Sequence, residues 1–203
     1  MYSVRYQTAR MPLQTYIEEY RDSEKFMVFC QACKQYNACW SCPPYDFDTE
    51  EYLAPYRFAY VIGAQIVPDE VIRRVCTNAQ QVRTLGRQII SEVRTSFDVH
   101  LLELESYCSG SRAFFAGMCH FCAEGECLRI KKQPCIHPDR VRPSLESFGF
   151  DVEKTASVLL HIPLKWSTDG KLPEYYMLVA GFFTASEVDP AIPLARRLLY
   201  AGE

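Results

Sequence analysis

Eight of the ten cysteines in this 203-residue chain fall into two compact quartets. The first is Cys30-x2-Cys33-x5-Cys39-x2-Cys42, followed at once by Pro43 and Pro44. The second is Cys119-x2-Cys122-x4-Cys127-x7-Cys135. Thiolates are soft ligands, and four closing on one point select zinc or an iron–sulfur cluster. Any fold for this chain must therefore bring each quartet together, with the remaining residues serving as its housing.

The rest of the composition says how much housing there is. With 48% hydrophobic residues the chain can bury a core of its own, about 70% of its unfolded surface at this size. The metal sites are then expected to be functional or locally structural rather than the whole source of stability. The expected organisation is one domain over residues 1–203, with cysteine-rich loops at about 26–46 and 117–140. The net charge is −3, and the basic residues occur as isolated pairs such as Arg73-Arg74, Lys131-Lys132 and Arg196-Arg197. No basic run provides a nucleic-acid footprint. Met1 to Met11 lacks the apolar core of a signal peptide, and no stretch reaches about 18 apolar residues. A cytoplasmic protein with no membrane and no nucleic-acid partner is expected. In that compartment thiols stay reduced, so these spacings read as metal sites rather than disulfides.

Hydrophobic periodicity predicts an α+β (α/β-like) fold, a small mixed sheet packed by helices and carrying the two cysteine loops. Residues 12–22 read as an amphipathic helix, and Asp48 begins a short helix that stops near Pro55. Phe58 to Val67 reads as a buried strand ended by Pro68. A long helix with Asp69 as its N-cap is predicted to about Phe97, with Val71, Ile72, Val75, Val82, Leu85, Ile89, Ile90 and Val93 recurring at helical spacing and Gly86 as a weak point. Leu101 to Glu105 continues as a helix or turn. Ala113 to Ala116 reads as a strand leading into Gly117 and the second loop. Ser144 to Phe148 reads as one helical turn capped by Gly149. Asp151 to His161 reads as a helix, Tyr175 to Thr184 as a strand and Ile192 to Tyr200 as a terminal helix.

The first quartet is as dense as the ferredoxin run C-x2-C-x2-C-x3-C-P and, like it, ends in Cys-Pro. A tight loop can aim backbone N–H groups at the sulfurs, and Trp40 and Tyr45 either shield a cluster or simply pack the loop. Zinc ribbons place well over five residues between their C-x2-C knuckles, which the Cys33–Cys39 spacing does not. The second quartet would close a [4Fe–4S] site suited to electron transfer. His120 and His137 flank ligand cysteines and are alternatives to one of them, or solvated loop residues. Cys76 reads as a buried core residue, and Cys108, also apart from both quartets, has a ligand or reactive thiol nearer the site as its alternative reading. The cofactor expected is a pair of [4Fe–4S] clusters, with zinc as the alternative. The expected partner is a redox protein or a small-molecule substrate. No G-x-G-x-x-G or P-loop is present.

The stretch Cys30-x2-Cys33-x2-Tyr36, leading to Trp40-x-Cys42-Pro43-Pro44, resembles an uncharacterised bacterial and archaeal family of cysteine-rich predicted metal-binding proteins, a domain of unknown function. So does the later stretch Cys119-x2-Cys122, Cys127, Cys135-x2-Pro138, Arg142-Pro143-Ser144-x-Glu146-x2-Gly149-x-Asp151-Val152. The resemblance spans residues 26–155 and implies metal binding without a settled reaction. It also implies that Cys30, Cys33 and Cys42 match the core pattern more closely than Cys39. If Cys39 is not a ligand, the first site has three thiolates, and an iron with an open position could act on substrate as a Lewis acid, fed by the second site. In Arg142-Pro143-Ser144-x-Glu146, Ser144 reads as a helix cap and Glu146 as a first-turn residue, with a catalytic Glu146 as the alternative.

Overall fold

A computed structural model describes residues 2–76, 78–123, 125–168 and 170–201. The expected inward position of the Val75 side chain, the expected helix through Thr77, and the expected domain ends at Met1, Gly202 and Glu203 lie outside the described residues.

The fold is α+β, a four-stranded sheet covered on both faces. Strands β1 (Tyr2–Pro12), β2 (Phe58–Pro68), β3 (Ser111–Phe114) and β4 (Tyr176–Thr184) lie in the order β1-β2-β4-β3. All three pairings are antiparallel, where a mixed sheet was expected. β2 is central and buried on both sides, which is why its sequence is nearly continuous in apolar residues. Tyr60, Ile62 and Ile66 face one way, while Ala59 and Val61 face the other.

Helices α1 (Leu13–Tyr20), α2 (Ser23–Ala32) and α3 (Thr49–Leu53) lie between β1 and β2, and α4 (Glu70–Val75) and α5 (Ala79–Tyr107) between β2 and β3. The chain then runs through α6 (Val152–Lys154), continued by a π turn over Thr155–Leu159, to β4 and α7 (Pro193–Leu199). On one face Ile89, Val93, Phe97, Leu101 and Leu104 of α5, with Leu198 of α7, cover Tyr60, Ile62 and Phe182. On the other, Leu13, Tyr16 and Tyr20 of α1 pack with Phe148 and Phe150 over Val61 and Phe183. The Tyr16 and Phe150 rings stack at 4.6 Å. Among the described residues no helix is long and apolar enough to cross a membrane.

Several expectations are corrected. Residues 2–12 form β1, paired along their whole length with β2. The helix expected from Asp69 to Phe97 is two helices. Cys76 and Asn78 are both extended, and Asn78 caps α5 by accepting a hydrogen bond from Gln81 N at 2.9 Å. The second helix continues through Leu101–Glu105. Gly86 is no weak point, because a Cβ there would stand 2.4 Å from the Tyr176 hydroxyl, so glycine admits the tyrosine against the helix. Residues 26–32, expected as the start of the first cysteine loop, belong to α2, capped by Asp22. The turn before Gly149 forms as expected, and Gly149 is left-handed (φ 86°) with Ser23 Cα 2.7 Å from the place of a Cβ. That close approach docks the start of α2, which carries Cys30, on the 146–148 turn.

Candidate metal centre

Each short cysteine pair of the first loop is closed by a local turn. Cys33 N donates to the Cys30 carbonyl and Cys42 N to the Cys39 carbonyl, both at 3.0 Å. Cys30 sits in the last turn of α2, and Cys33 is its C-cap. Pro43–Pro44 is cis. The second loop leaves the edge strand β3, so both loops gather at one end of the sheet.

His137 N donates to Cys135 Sγ at 3.3 Å, and at the same i to i+2 spacing the backbones of Ser41 and Phe121 favour the charged forms of Cys39 and Cys119. An N–H aimed at sulfur favours the thiolate, the form that binds metal.

The two loops are latched into one structure. Cys119 N donates to Ser41 Oγ at 2.8 Å, and the same hydroxyl is 3.3 Å from Cys39 Sγ and 3.9 Å from Cys42 Sγ. Arg129, just beyond Cys127, donates through Nη1 to the Cys39 carbonyl at 2.9 Å, and also to the carbonyls of Cys42 and Pro44. Its guanidinium lies 5.1 Å from the Trp40 ring centroid, and Trp40 Nε1 donates to the Gln133 carbonyl at 3.1 Å. Tyr45 joins the first loop to the 146–148 turn, its hydroxyl 2.8 Å from the Ser41 carbonyl and 2.7 Å from Ser147 Oγ. Trp40 and Tyr45 are thus loop-packing residues. Ser41 and Arg129 went unread in the sequence. The available signals were a hydroxyl inside a C-x2-C turn and a cation two residues after a ligand cysteine.

The cysteines do not divide as their spacing suggests. Cys30, Cys33 and Cys42 line a cavity of about 260 Å³ with Gly117, Met118 and Glu146. Cys39 is buried and lies between loops, where both Cys42 and Cys127 influence its thiol electrostatically. Cys119 and Cys122 both feel the charge of Cys39 and Cys135. Hydrogen bonding from Cys42, reinforced by Ser41, lowers the Cys39 thiol to about 5. Its partner Cys42 is raised, chiefly because it holds the shared proton against Cys39. Burial raises Cys119 to about 11, and also raises Cys30 and Cys122.

Cys76 is buried beside Val82 and Leu172, as expected, but between two helices rather than within one. Cys108 is the C-cap of α5 and packs against the main core. The His120 ring is held by Asp98, with Nε2 2.8 Å from Oδ2, and His137 packs edge-on to Phe121. His120 is therefore no solvated loop residue. Asp98 is fully buried within α5, and Arg94, one turn earlier, bonds the Met118 carbonyl.

Among the described residues no three Cys, His, Asp or Glu side chains are gathered tightly enough to hold one ion as they stand. The fold does bring cysteines of both loops into one region, with an N–H group on sulfur and the half-buried setting of a thiolate site. That donor set fits a soft metal or an iron–sulfur cluster.

A family model described as predicted metal-binding protein (DUF2284) matches residues 16–180. No curated protein and no solved structure matches the chain.

Proposed function

Starting from the fact that the chain belongs to this family of predicted metal-binding proteins, we propose that its metal is iron in two [4Fe–4S] clusters and that the protein works in electron transfer or as a redox component. Cys119, Cys122, Cys127 and Cys135 hold the second cluster. Cys30, Cys33 and Cys42 hold the first, with Cys39 at the junction between them. The observation that carries this reading is the latch. Ser41 and Arg129 tie the two loops so that Cys39 of one quartet lies within electrostatic reach of Cys127 of the other. Two cofactors held that close can exchange electrons, whereas two independent structural zincs would need no such junction.

One observation favours a catalytic role for the first site. Cys39 is buried away from the cavity that Cys30, Cys33 and Cys42 line, a space large enough for a small molecule. A three-thiolate cluster there would supply a Lewis-acidic iron, and the closed second site would deliver electrons. The substrate is then a small molecule that is reduced or that gains or loses sulfur. The electron donor is a redox protein, in the cytoplasm where thiols stay reduced.

Iron, zinc and acid-labile sulfide content of protein purified without oxygen tests the proposal. About eight irons and eight sulfides per chain, with a brown visible spectrum, are expected. About two zincs with neither sulfide nor colour would sink it and leave a structural or binding module.

A further inference from the structure

The conformation of the segment after the second loop explains Ser144 fully and Glu146 only in part. Ser144 Oγ accepts from Ser147 N at 3.2 Å, and Ser147 Oγ lies 3.0 Å from Ser144 N, so the two serines cap the turn reciprocally. Glu146 is not needed for that. Its carboxylate lies beside its own backbone N–H and the Ser144 hydroxyl. Yet Oε2 is sealed from solvent and has no hydrogen-bond partner among the described residues. The residue as a whole is partly exposed, its open surface lying elsewhere than on this oxygen.

A buried carboxylate oxygen without a partner is costly, and native structures retain such groups chiefly for strain, catalysis or a missing ligand. The cation whose charge Glu146 feels, Arg94, is engaged by Asp98 and by the Met118 carbonyl. What surrounds Glu146 instead is the first site. It lines the same two adjoining cavities as Cys30, and a metal cation there would be a partner for sulfur and carboxylate together.

We propose that Glu146 is the fourth protein donor of the first site, its Oε2 completing the set begun by Cys30, Cys33 and Cys42. This inference rests on the reading of that site as metal-binding. It deepens the reading, because a carboxylate oxygen is a hard ligand on a metal chosen for thiolates and exchanges more readily than sulfur. The first site is thereby the one that opens to a small donor molecule in the 260 Å³ cavity, while the all-thiolate site stays closed.

The test compares the wild-type protein with Glu146→Gln, Glu146→Ala and Glu146→Cys, all prepared without oxygen. The measurements are iron and sulfide content and low-temperature electron paramagnetic resonance after brief mild oxidation. The Gln and Ala variants are expected to lose about one iron per chain and to show a three-iron cluster signal, with Glu146→Cys retaining full iron. Gln and Ala variants that match the wild type in iron, sulfide and spectrum would overturn the inference. Should the variants fail to fold by circular dichroism, Mössbauer spectra of the wild type decide. One iron distinct from its neighbours is expected, and none overturns the proposal. If the wild type carries zinc and no sulfide, the iron–sulfur reading fails by itself. The role of Glu146 is then read from the visible spectrum of cobalt-substituted protein, which must differ between wild type and Glu146→Gln.

Discussion

The backbone N–H of Cys119 donates to the Ser41 hydroxyl at 2.8 Å, so the first residue of one cysteine quartet is hydrogen-bonded to a side chain lying inside the other. Ser41 is almost fully buried. Replacing it with alanine strips the Cys119 N–H of its partner and Cys39 Sγ of a neighbour 3.3 Å away. Ser41→Ala is expected to cost about 1–3 kcal/mol and to speed cofactor loss in air. Urea unfolding and the decay of visible absorbance check both effects.

Arg129 offers a planar fork to the carbonyls of Cys39, Cys42 and Pro44 and stacks on Trp40. A lysine would keep the charge but neither the fork nor the stacking. Arg129→Lys is expected to weaken metal retention by about 10–100-fold, as removing an outer-shell partner does, with far-ultraviolet circular dichroism unchanged. Competition with a chelator reads the first effect. Retention equal to wild type would show that the latch is ornamental.

Arg142 and Glu105 form a two-pronged ion pair at 2.8 and 2.6 Å, with side chains only 7% and 12% exposed. Glu105 also accepts from Ala113 N of β3 at 2.6 Å, tying α5 to the edge strand that feeds the second loop. Arg142→Met leaves a buried carboxylate without its main partner and is expected to cost about 3–5 kcal/mol. Adding Glu105→Leu should recover part of this loss, but not all, because Ala113 N then lacks its acceptor. Denaturant midpoints of the two variants test the order.

His100 on α5 has a buried Nδ1 with no partner among the described residues, and burial lowers its pKa below 6.5, with Arg197 adding to the effect. In this pH range the unfolded chain binds the proton more readily than the folded one. Stability is therefore full above the unfolded value and falls as pH drops through about 6.5 toward the lower folded value. Measured between about pH 7.5 and about pH 5.5, the loss should be smaller in His100→Gln than in wild type. An equal loss in both would assign the acid sensitivity to other groups.

The sequence by itself determined what depends on near neighbours along the chain. The tight turns that close Cys30 to Cys33 and Cys39 to Cys42 need only three intervening bonds. The caps at Asp48, Asp69 and Asp151 each use a carboxylate to receive an N–H two or three residues on, and β2 and β4 declare themselves as unbroken apolar runs. The break before α5 was missed in the sequence, although Asn78 and Gln81 stand three residues apart, the spacing of a cap. β1 was harder to see. It mixes polar and apolar residues because it is an edge strand, and its partner lies more than 40 residues away.

Tertiary structure alone decided how the cysteines are shared. Ser41 meets Cys119 across 78 residues, and Arg129 meets Cys39 across 90. No spacing rule spans such distances. The sheet edge at β3 and the docking of α2 on the 146–148 turn bring these residues together, and that docking sets Cys30 beside Glu146. Cys39 shows the consequence most plainly. The two C-x2-C pairs look alike in local spacing, but burial against a second loop brings Cys39 within electrostatic reach of Cys127. The unpartnered oxygen of Glu146 is a property of what surrounds it, and only the folded chain has surroundings.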